Sequence, residues 1–200
     1  MPSPLTGEGI FLGLVMEKSI MLLDKQDIDR TLKRIAHEIW ERNRGMENFV
    51  FIGIRRRGVT IAQRLSRKLK DFEGVSIPVG ALDINLYRDD LSEIAAQPVL
   101  KKTEIPFSVQ DRKVILCDDV LYTGRTIRAA MDSIIDMGRP MSIRLAVLLD
   151  RGHRELPIQP NYTGKIITTS KEELVEVMLE EDDGIDLVII TRGSSNGTAA

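Results

Sequence analysis

The chain has 200 residues, a hydrophobic fraction of 42% and a charged fraction of 29%, which fit one folded domain with a sizeable core and exclude a disordered chain. The formal net charge is only -2, so affinity for an anion has to come from a local cluster of cations. The single cysteine, Cys117, excludes an intramolecular disulfide and a cysteine-built metal cluster, and it fits a reducing cytoplasm.

The two ends of the chain are predicted to lie outside the folded domain. The apolar run from Ile10 to Met16 is too short to cross a membrane, and no Lys or Arg precedes it as in a signal peptide. The end of the chain has the Gly- and Ser-rich composition of a flexible linker. We therefore predict a flexible lead-in over residues 1–17, a single domain over 18–192 and a disordered tail over 193–200.

The first predicted helix lies between Asp24, a good N-cap residue, and Gly45, a good stop. Its apolar residues recur at the spacing of one buried helix face: Ile28, Leu32, Ile35 and Ile39. A second face carries only basic side chains: Arg30, Lys33, Arg34 and His37. This basic face is either an ordinary solvated surface or a binding site for an anion, and the sequence leaves both readings open.

Apolar runs of strand length then alternate with helical patterns. The runs are Phe49–Ile54, Ile77–Ile84, Val114–Cys117 and Ile143–Leu149. Helical spacing joins Ile61, Leu65 and Leu69, and again Ile127, Met131 and Ile134, with Gly138 and Pro140 as the stop. The alternation predicts an α/β fold with a central, mainly parallel sheet flanked by helices. Three shorter runs are predicted to form a small flap: Lys165–Thr168, Val175–Leu179 and Leu187–Ile190.

One long segment, residues 85–112, shows no sustained period and contains two prolines. A loop of this length in a compact domain is usually functional or mobile. We therefore expect it to serve a binding site.

The strongest chemical signal follows the run Val114–Cys117. The carboxylates of Asp118 and Asp119 come first, and the sequence Thr123-Gly-Arg-Thr126 then opens a helix. Free backbone N–H groups and the positive end of the helix dipole meet at such a turn, and Gly124 lets it curl around a phosphate. The carboxylates instead suit the adjacent hydroxyls of a ribose, or Mg²⁺. The order of these residues favours a ribose 5-phosphate pocket over an acidic turn with ordinary helix capping.

This segment resembles the phosphoribosyl pyrophosphate (PRPP) loop of type I phosphoribosyltransferases. From about residue 18 to residue 192 the chain is similar to the PyrR family, the pyrimidine operon attenuation regulators that are also uracil phosphoribosyltransferases. The other matching segments are Arg34–Glu38, Leu86–Leu91, Met137–Pro140 and Asp150–Pro157. The last of these is specific for this family within the superfamily. The resemblance implies the type I phosphoribosyltransferase fold, with a small hood over a central, mainly parallel sheet.

The resemblance also implies the residues of the PRPP site and of the reaction centre. PRPP would contact the whole loop: Val114, Ile115, Leu116, Cys117, Asp118, Asp119, Val120, Leu121, Tyr122, Thr123, Gly124, Arg125 and Thr126. Uracil and PRPP would give UMP and pyrophosphate, with Mg²⁺ carried by PRPP and bound by no protein residue directly. The implied catalytic residues are Asp118, Asp119 and Arg88.

Further segments receive roles from the same resemblance. Arg56, Arg57 and Gly58 resemble the pyrophosphate loop, although Arg55-Arg56 stands where the family usually has Lys-Thr or Pro-Thr. Tyr87 and Arg88 fall in the mobile loop that closes over the site, where Asn85 replaces a common Thr. Arg151 and the backbone near Ile167 would form the hood that receives uracil.

The resemblance supplies a partner for the basic face, a stem-loop in pyrimidine-operon messenger RNA. The implied RNA-binding residues are Arg30, Lys33, Arg34, His37, His153, Arg154 and Lys165. Lys33 replaces a common Thr, and Gln159 replaces a common Arg, so one charge is gained and one is lost. UMP or UTP would be the effector, in a cytoplasmic homo-oligomer (a dimer or a higher form) that binds neither DNA nor a membrane.

Three functions remain open from the sequence. The first is an active uracil phosphoribosyltransferase that also regulates, and the second is an RNA-binding nucleotide sensor with little catalysis. Both need the same intact pocket, so the sequence does not separate them. The third is a purine-type phosphoribosyltransferase without an RNA role, which the segment Asp150–Pro157 disfavours.

Overall fold

A computed structural model describes residues 19–43, 45–84 and 103–192. Its strands are β1 (Ser19–Leu23), β2 (Phe49–Ile54), β3 (Val79–Leu82), β4 (Lys113–Leu121), β5 (Ser142–Asp150), β6 (Tyr162–Ile166), β7 (Glu173–Met178) and β8 (Leu187–Arg192). Its helices are α1 (Lys25–Asn43), α2 (Arg57–Glu73), α3 (Arg125–Asp136) and α4 (Glu180–Asp183). The predicted lead-in 1–17, the tail 193–200, Asn85, Tyr87 and Arg88 lie outside the described residues.

The centre of the domain is a five-stranded parallel sheet with the order β3-β2-β4-β5-β6. Alternate residues of each strand face opposite sides, so Phe51 and Ile115 pack with α1 and α2, whereas Ile52 and Leu116 pack with α3. Burial on both faces explains why these strands are near-continuous apolar runs in the sequence. The predicted fold class is confirmed.

Helix α1 begins and ends where the sequence predicted. Asp27 N donates to Asp24 Oδ1 at 2.8 Å, and Asp24 N donates to Asp27 Oδ2 at 3.3 Å, so each residue caps the other. Beyond the other end of the helix, Gly45 has a φ of 112°. The apolar face of α1 is buried in the core, which leaves the basic face toward solvent.

The hood is a three-stranded antiparallel sheet with the order β1-β8-β7. Two of its strands fit the predicted flap runs, but β1 was not predicted as a strand. The assignment of Lys165–Thr168 to the flap is wrong, because β6 covers Tyr162–Ile166 and extends the central sheet alongside β5. Gly164 allows β6 to approach β5 closely, because a Cβ atom there would lie 2.2 Å from Leu148 O.

In the described part of the chain, no helix is both long and apolar enough to span a membrane.

Candidate active site

Strand β4 carries the two carboxylates. The prediction that Asp118 and Asp119 lie in a loop beyond the strand is wrong, because β4 pairs with β5 as far as Leu121. The carboxylates are accommodated through local hydrogen bonds: Asp119 N donates to Asp118 Oδ1 at 3.0 Å, and Val120 N donates to Asp119 Oδ1 at 2.8 Å. Both side chains are therefore held in place by the backbone of a central strand.

The environment of the pair favours a ligand that donates hydrogen bonds or carries positive charge. Asp118 is buried and Asp119 is half-buried. Burial raises the pKa of the Asp119 carboxyl, although the hydrogen bond from Val120 N and the positive charge of Arg57 act in the opposite direction. A desolvated carboxylate is stabilised when a hydroxyl or a cation replaces the lost water.

The turn after β4 has the backbone geometry of an anion site. Helix α3 begins at Arg125, directly after Gly124, whose φ of 94° lies in the left-handed region that favours glycine. Arg125 N donates to Thr123 Oγ1 at 3.3 Å. The N–H groups of the first helical turn and the positive end of the helix dipole lie at this place.

The predicted pyrophosphate loop lies directly against the carboxylate strand. A Cβ atom on Gly58 would lie 2.4 Å from Cys117 O and 3.2 Å from Asp118 Cα, so only glycine allows this approach. The preceding residues, Arg56 and Arg57, lead into α2, and the Arg55–Arg56 peptide bond is cis. The structure therefore brings together two segments that are about sixty residues apart in the sequence.

The side chain of Arg57 has a partner that the sequence did not reveal. Its Nε and Nη2 atoms donate to the carboxylate of Asp183 at 2.9 and 3.0 Å. These hydrogen bonds raise the pKa of Arg57, and the charge of Asp119 adds to the effect. The only sequence signal for this partner was the acidic run Glu180–Asp183, whose place in the fold was not predicted.

Arg151 binds the segment that leads into the hood strand β7. Its Nε donates to Thr169 Oγ1 at 3.0 Å, and its Nη2 donates to Ser170 O at 3.1 Å. Its guanidinium also lies over the ring of Tyr122, 4.3 Å from the centroid. Arg151 is buried, so it ties the hood to the PRPP loop instead of projecting into open space.

The second predicted hood residue, Ile167, lies in the same region, next to the end of β5. Ile167 N donates to Asp150 O at 2.9 Å, and the Ile167 side chain is buried. The neighbouring Ile166 is 76% exposed, so the two consecutive side chains face opposite ways.

Comparison with known proteins places these features in a family. Residues 21–182 match the phosphoribosyl transferase domain family. The bifunctional protein PyrR of Deinococcus radiodurans is 59% identical over 167 residues, which cover 84% of this chain and 91% of that protein. Its counterpart from Pelotomaculum thermopropionicum is 60% identical over 169 residues, with coverages of 84% and 93%. The chain belongs to the PyrR family of phosphoribosyltransferases.

Solved structures agree on the fold. A hypoxanthine phosphoribosyltransferase from Staphylococcus aureus superposes with a TM-score of 0.67 at 19% identity, covering 90% of this chain and 96% of the other. At this identity the likeness establishes the type I phosphoribosyltransferase fold and does not indicate the base that this PyrR family member uses.

On the basic face predicted to bind RNA, three of the four side chains already make contacts within the described part of the protein. Arg34 Nη2 donates to Thr163 O at 2.8 Å and also to Gly164 O, so it covers backbone groups of the edge strand β6. The ring of His37 stacks on Phe72, with centroids 4.1 Å apart. Arg30 is exposed and pairs with Asp27 at 2.5 Å. Lys33 is exposed and has no hydrogen bond or ion pair with the described residues.

The remaining predicted RNA-binding residues divide into two groups. Lys165 is exposed on β6, close to the carbonyls that Arg34 covers. Arg154 and His153 are engaged near the PRPP loop instead. Arg154 Nη1 donates to Tyr122 O at 2.9 Å and Nη2 pairs with Asp150 at 2.6 Å, while His153 Nε2 lies 2.7 Å from Thr169 O. The Arg154 side chain is only 14% exposed, so most of it is occupied by contacts within the protein.

Proposed function

We propose that this chain is a uracil phosphoribosyltransferase that converts uracil and PRPP into UMP and pyrophosphate. The observation that carries the proposal is the contact between Gly58 and the Cys117–Asp118 backbone. This contact supports the proposal because it brings the start of α2 beside the carboxylates of β4, and the turn at Gly124 follows the same strand. The carboxylates of β4 face the ribose hydroxyls, the turn at Gly124 receives the 5-phosphate, and the loop at Arg57 receives the pyrophosphate.

The reaction needs charge stabilisation more than it needs a nucleophile. As pyrophosphate leaves, positive charge develops on the ribose ring, as in glycoside cleavage. Asp118 and Asp119 hold the ribose hydroxyls, and their negative field favours this ring, while Arg57 favours the leaving group. Arg88, which lies outside the described residues, is proposed to close over the centre together with Tyr87.

Magnesium is proposed to enter with PRPP as part of the substrate. The carboxylate oxygens of Asp118 and Asp119 are hard donors of the kind that Mg²⁺ prefers, so the edge of the sheet fits the ion. When bound, the ion neutralises charge on the departing pyrophosphate.

The base is proposed to bind under the hood, next to the backbone around Ile167. Support for uracil comes from the family, because the relatives at 54–60% identity are bifunctional PyrR proteins. Arg151 contributes by holding the hood loop and Tyr122 in place, as its contacts indicate.

A second activity is proposed at the basic face: uridine-nucleotide-dependent binding of a pyrimidine-operon messenger RNA leader. Lys33 and Lys165 support it because both are exposed on neighbouring elements, α1 and β6, and are available to phosphate. UMP or UTP would bind the pocket of the first activity and adjust RNA affinity. We expect the chain to act in the cytoplasm as a homo-oligomer.

The proposal is tested by incubating the protein with PRPP, Mg²⁺ and one base (uracil, hypoxanthine or guanine) and separating the nucleotide products by chromatography. We expect UMP from uracil, with little product from either purine, and loss of UMP when Mg²⁺ is chelated. Preference for a purine would contradict the uracil assignment. Tight UMP binding without turnover would instead favour the nucleotide sensor with little catalysis.

A further inference from the structure

Arg57 is the side chain through which the pyrophosphate loop meets the hood. Its two hydrogen bonds to Asp183 form a fork, from Nε at 2.9 Å and from Nη2 at 3.0 Å. The two side chains are 28% and 18% exposed, so the pair is partly shielded from water. A fork of this kind fixes both the position and the plane of a guanidinium.

Asp183 is itself held in place by the backbone of the short helix α4. Leu179 N donates to Asp183 Oδ2 at 2.9 Å, and Gly184, with a φ of 77°, ends the turn. Partial burial opposes ionisation, but the hydrogen bonds from Arg57 and Leu179 N outweigh it and lower the pKa of Asp183. The carboxylate is therefore charged and oriented before any ligand arrives.

Arg57 also lies next to the carboxylate strand β4. The next residue, Gly58, packs on the Cys117–Asp118 backbone, and the charge of Asp119 acts on the guanidinium. The fork occupies one edge of the guanidinium, and Nη1 makes no hydrogen bond to another residue in the described ranges. The N–H groups of Nη1 are thus free to donate to an anion.

We propose that Asp183 is a positioning residue, which holds Arg57 so that Nη1 is directed at the leaving pyrophosphate. It would join the base-binding hood to the pyrophosphate loop through one ion pair. An arginine that is already held loses less rotamer entropy when the anion binds, so the affinity for pyrophosphate rises. The inference rests on the proposed function, which identifies the anion.

Neighbouring contacts provide a control that distinguishes the positioning of Arg57 from simple attachment of the hood to α2. Arg64 pairs with both Glu181 and Asp186, and Thr60 Oγ1 donates to Asp182 Oδ2 at 2.5 Å. These contacts attach the same acidic turn to α2 but do not involve Arg57. Glu181→Gln therefore removes one carboxylate charge from the turn and leaves the fork intact.

The experiment measures binding of inorganic pyrophosphate in the presence of Mg²⁺ by isothermal titration calorimetry. Asp183→Asn is expected to weaken binding about tenfold, a typical loss when a supporting partner of a binding residue is removed. Glu181→Gln should stay within about twofold of the wild type, as for a partly exposed ion pair. In an Arg57→Lys background, Asp183→Asn should cause no further loss, because a lysine side chain cannot donate the two-atom fork and the two effects are coupled.

Three results would overturn the inference. Unchanged affinity in Asp183→Asn would remove the residue from the site, and tighter binding would show that its carboxylate competes with pyrophosphate. An equal loss in Glu181→Gln would mean that only hood docking matters. The uracil assay is scored separately: a wild type that binds pyrophosphate but makes no UMP contradicts the proposed function and leaves this inference standing.

Discussion

The two surfaces proposed to bind anions are built in different ways. At the carboxyl edge of the sheet, the proposed site is built from glycines and backbone N–H groups: Gly58 packs on the Cys117–Asp118 backbone, and Gly124 begins the turn into α3. On the basic face of α1, side chains form the surface, and Arg34 and His37 already contact the protein itself. A sequence motif locates a backbone-built site well, because residue order fixes its geometry. It does not reveal which basic side chains are already paired.

The largest expected effect is at the edge of the sheet, in Gly58→Ala. The new methyl group would collide with Cys117 O, and the loop and strand would have to separate. A displacement of about 1 Å in a binding group can reduce the rate about a hundredfold, and we expect a fall of that order in kcat/KM for PRPP. Steady-state kinetics of UMP formation measure it.

Gly74→Ala is the matched control for that prediction. The position faces open space but has a φ of 71°, so alanine should cost about 1 kcal/mol in unfolding free energy without a change in kinetics. Wild-type kinetics in Gly58→Ala would show that the contact between the pyrophosphate loop and β4 is not needed for catalysis.

The next effect concerns the carboxylates. Asp118→Asn and Asp119→Asn each remove the charge from a proposed hydrogen bond to a ribose hydroxyl, which would be worth about 1.5–3 kcal/mol. We therefore expect kcat/KM for PRPP to fall roughly ten- to a hundredfold in each variant. Because Asp118 is buried in β4, its variant also needs a urea denaturation curve. Unchanged kinetics in both variants would exclude the pair from the site.

A smaller effect distinguishes two neighbours on the basic face. Arg34→Ala leaves carbonyl groups of β6 without a charged donor, and we expect a loss of about 1 kcal/mol in unfolding free energy. Lys33→Ala should change stability by about 0.5 kcal/mol or less, as for an ordinary surface substitution. Urea denaturation compares the two. Equal stability of both variants would mean that Arg34 does not protect the sheet edge.

The smallest effect is the response of the hood to acid. The hydrogen bond from Arg64 lowers the pKa of Glu181 in the folded protein. The ion pair therefore stabilises the fold above the pKa of an unfolded Glu, about 4.3. This stabilisation is lost as the pH falls through the lower pKa of the folded state. Glu181 is 42% exposed, so the difference should be below about 1 kcal/mol. Unfolding curves between about pH 5 and pH 3 should show a smaller acid-induced loss for Glu181→Gln than for the wild type. A larger loss would contradict the assigned direction.

The sequence predicted those parts of the fold whose signal is local. Strands β2, β4 and β5 are apolar runs because both of their faces are buried, and the PRPP loop is one continuous segment. Strand β6 was misplaced because its own residues give no clear strand pattern. It belongs to the central sheet because of the strand with which it pairs. The pair of Arg57 and Asp183 joins positions 126 residues apart, and no periodicity or motif links them. Long-range pairing of side chains could be seen only in the structure.

The most direct test of the proposal that catalysis and RNA binding use separate surfaces is to measure both activities in Lys33→Ala and in Asp119→Asn. Each variant is assayed for UMP formation and for binding of a pyrimidine-operon leader stem-loop at several salt concentrations. We predict that Lys33→Ala retains UMP formation but loses RNA affinity, with the salt dependence reduced by about one unit of slope. Asp119→Asn should lose UMP formation but keep RNA affinity when binding is measured without a uridine nucleotide, because this carboxylate acts only in the pocket. Loss of both activities in either variant, or RNA binding by Lys33→Ala with wild-type affinity and slope, would contradict the account.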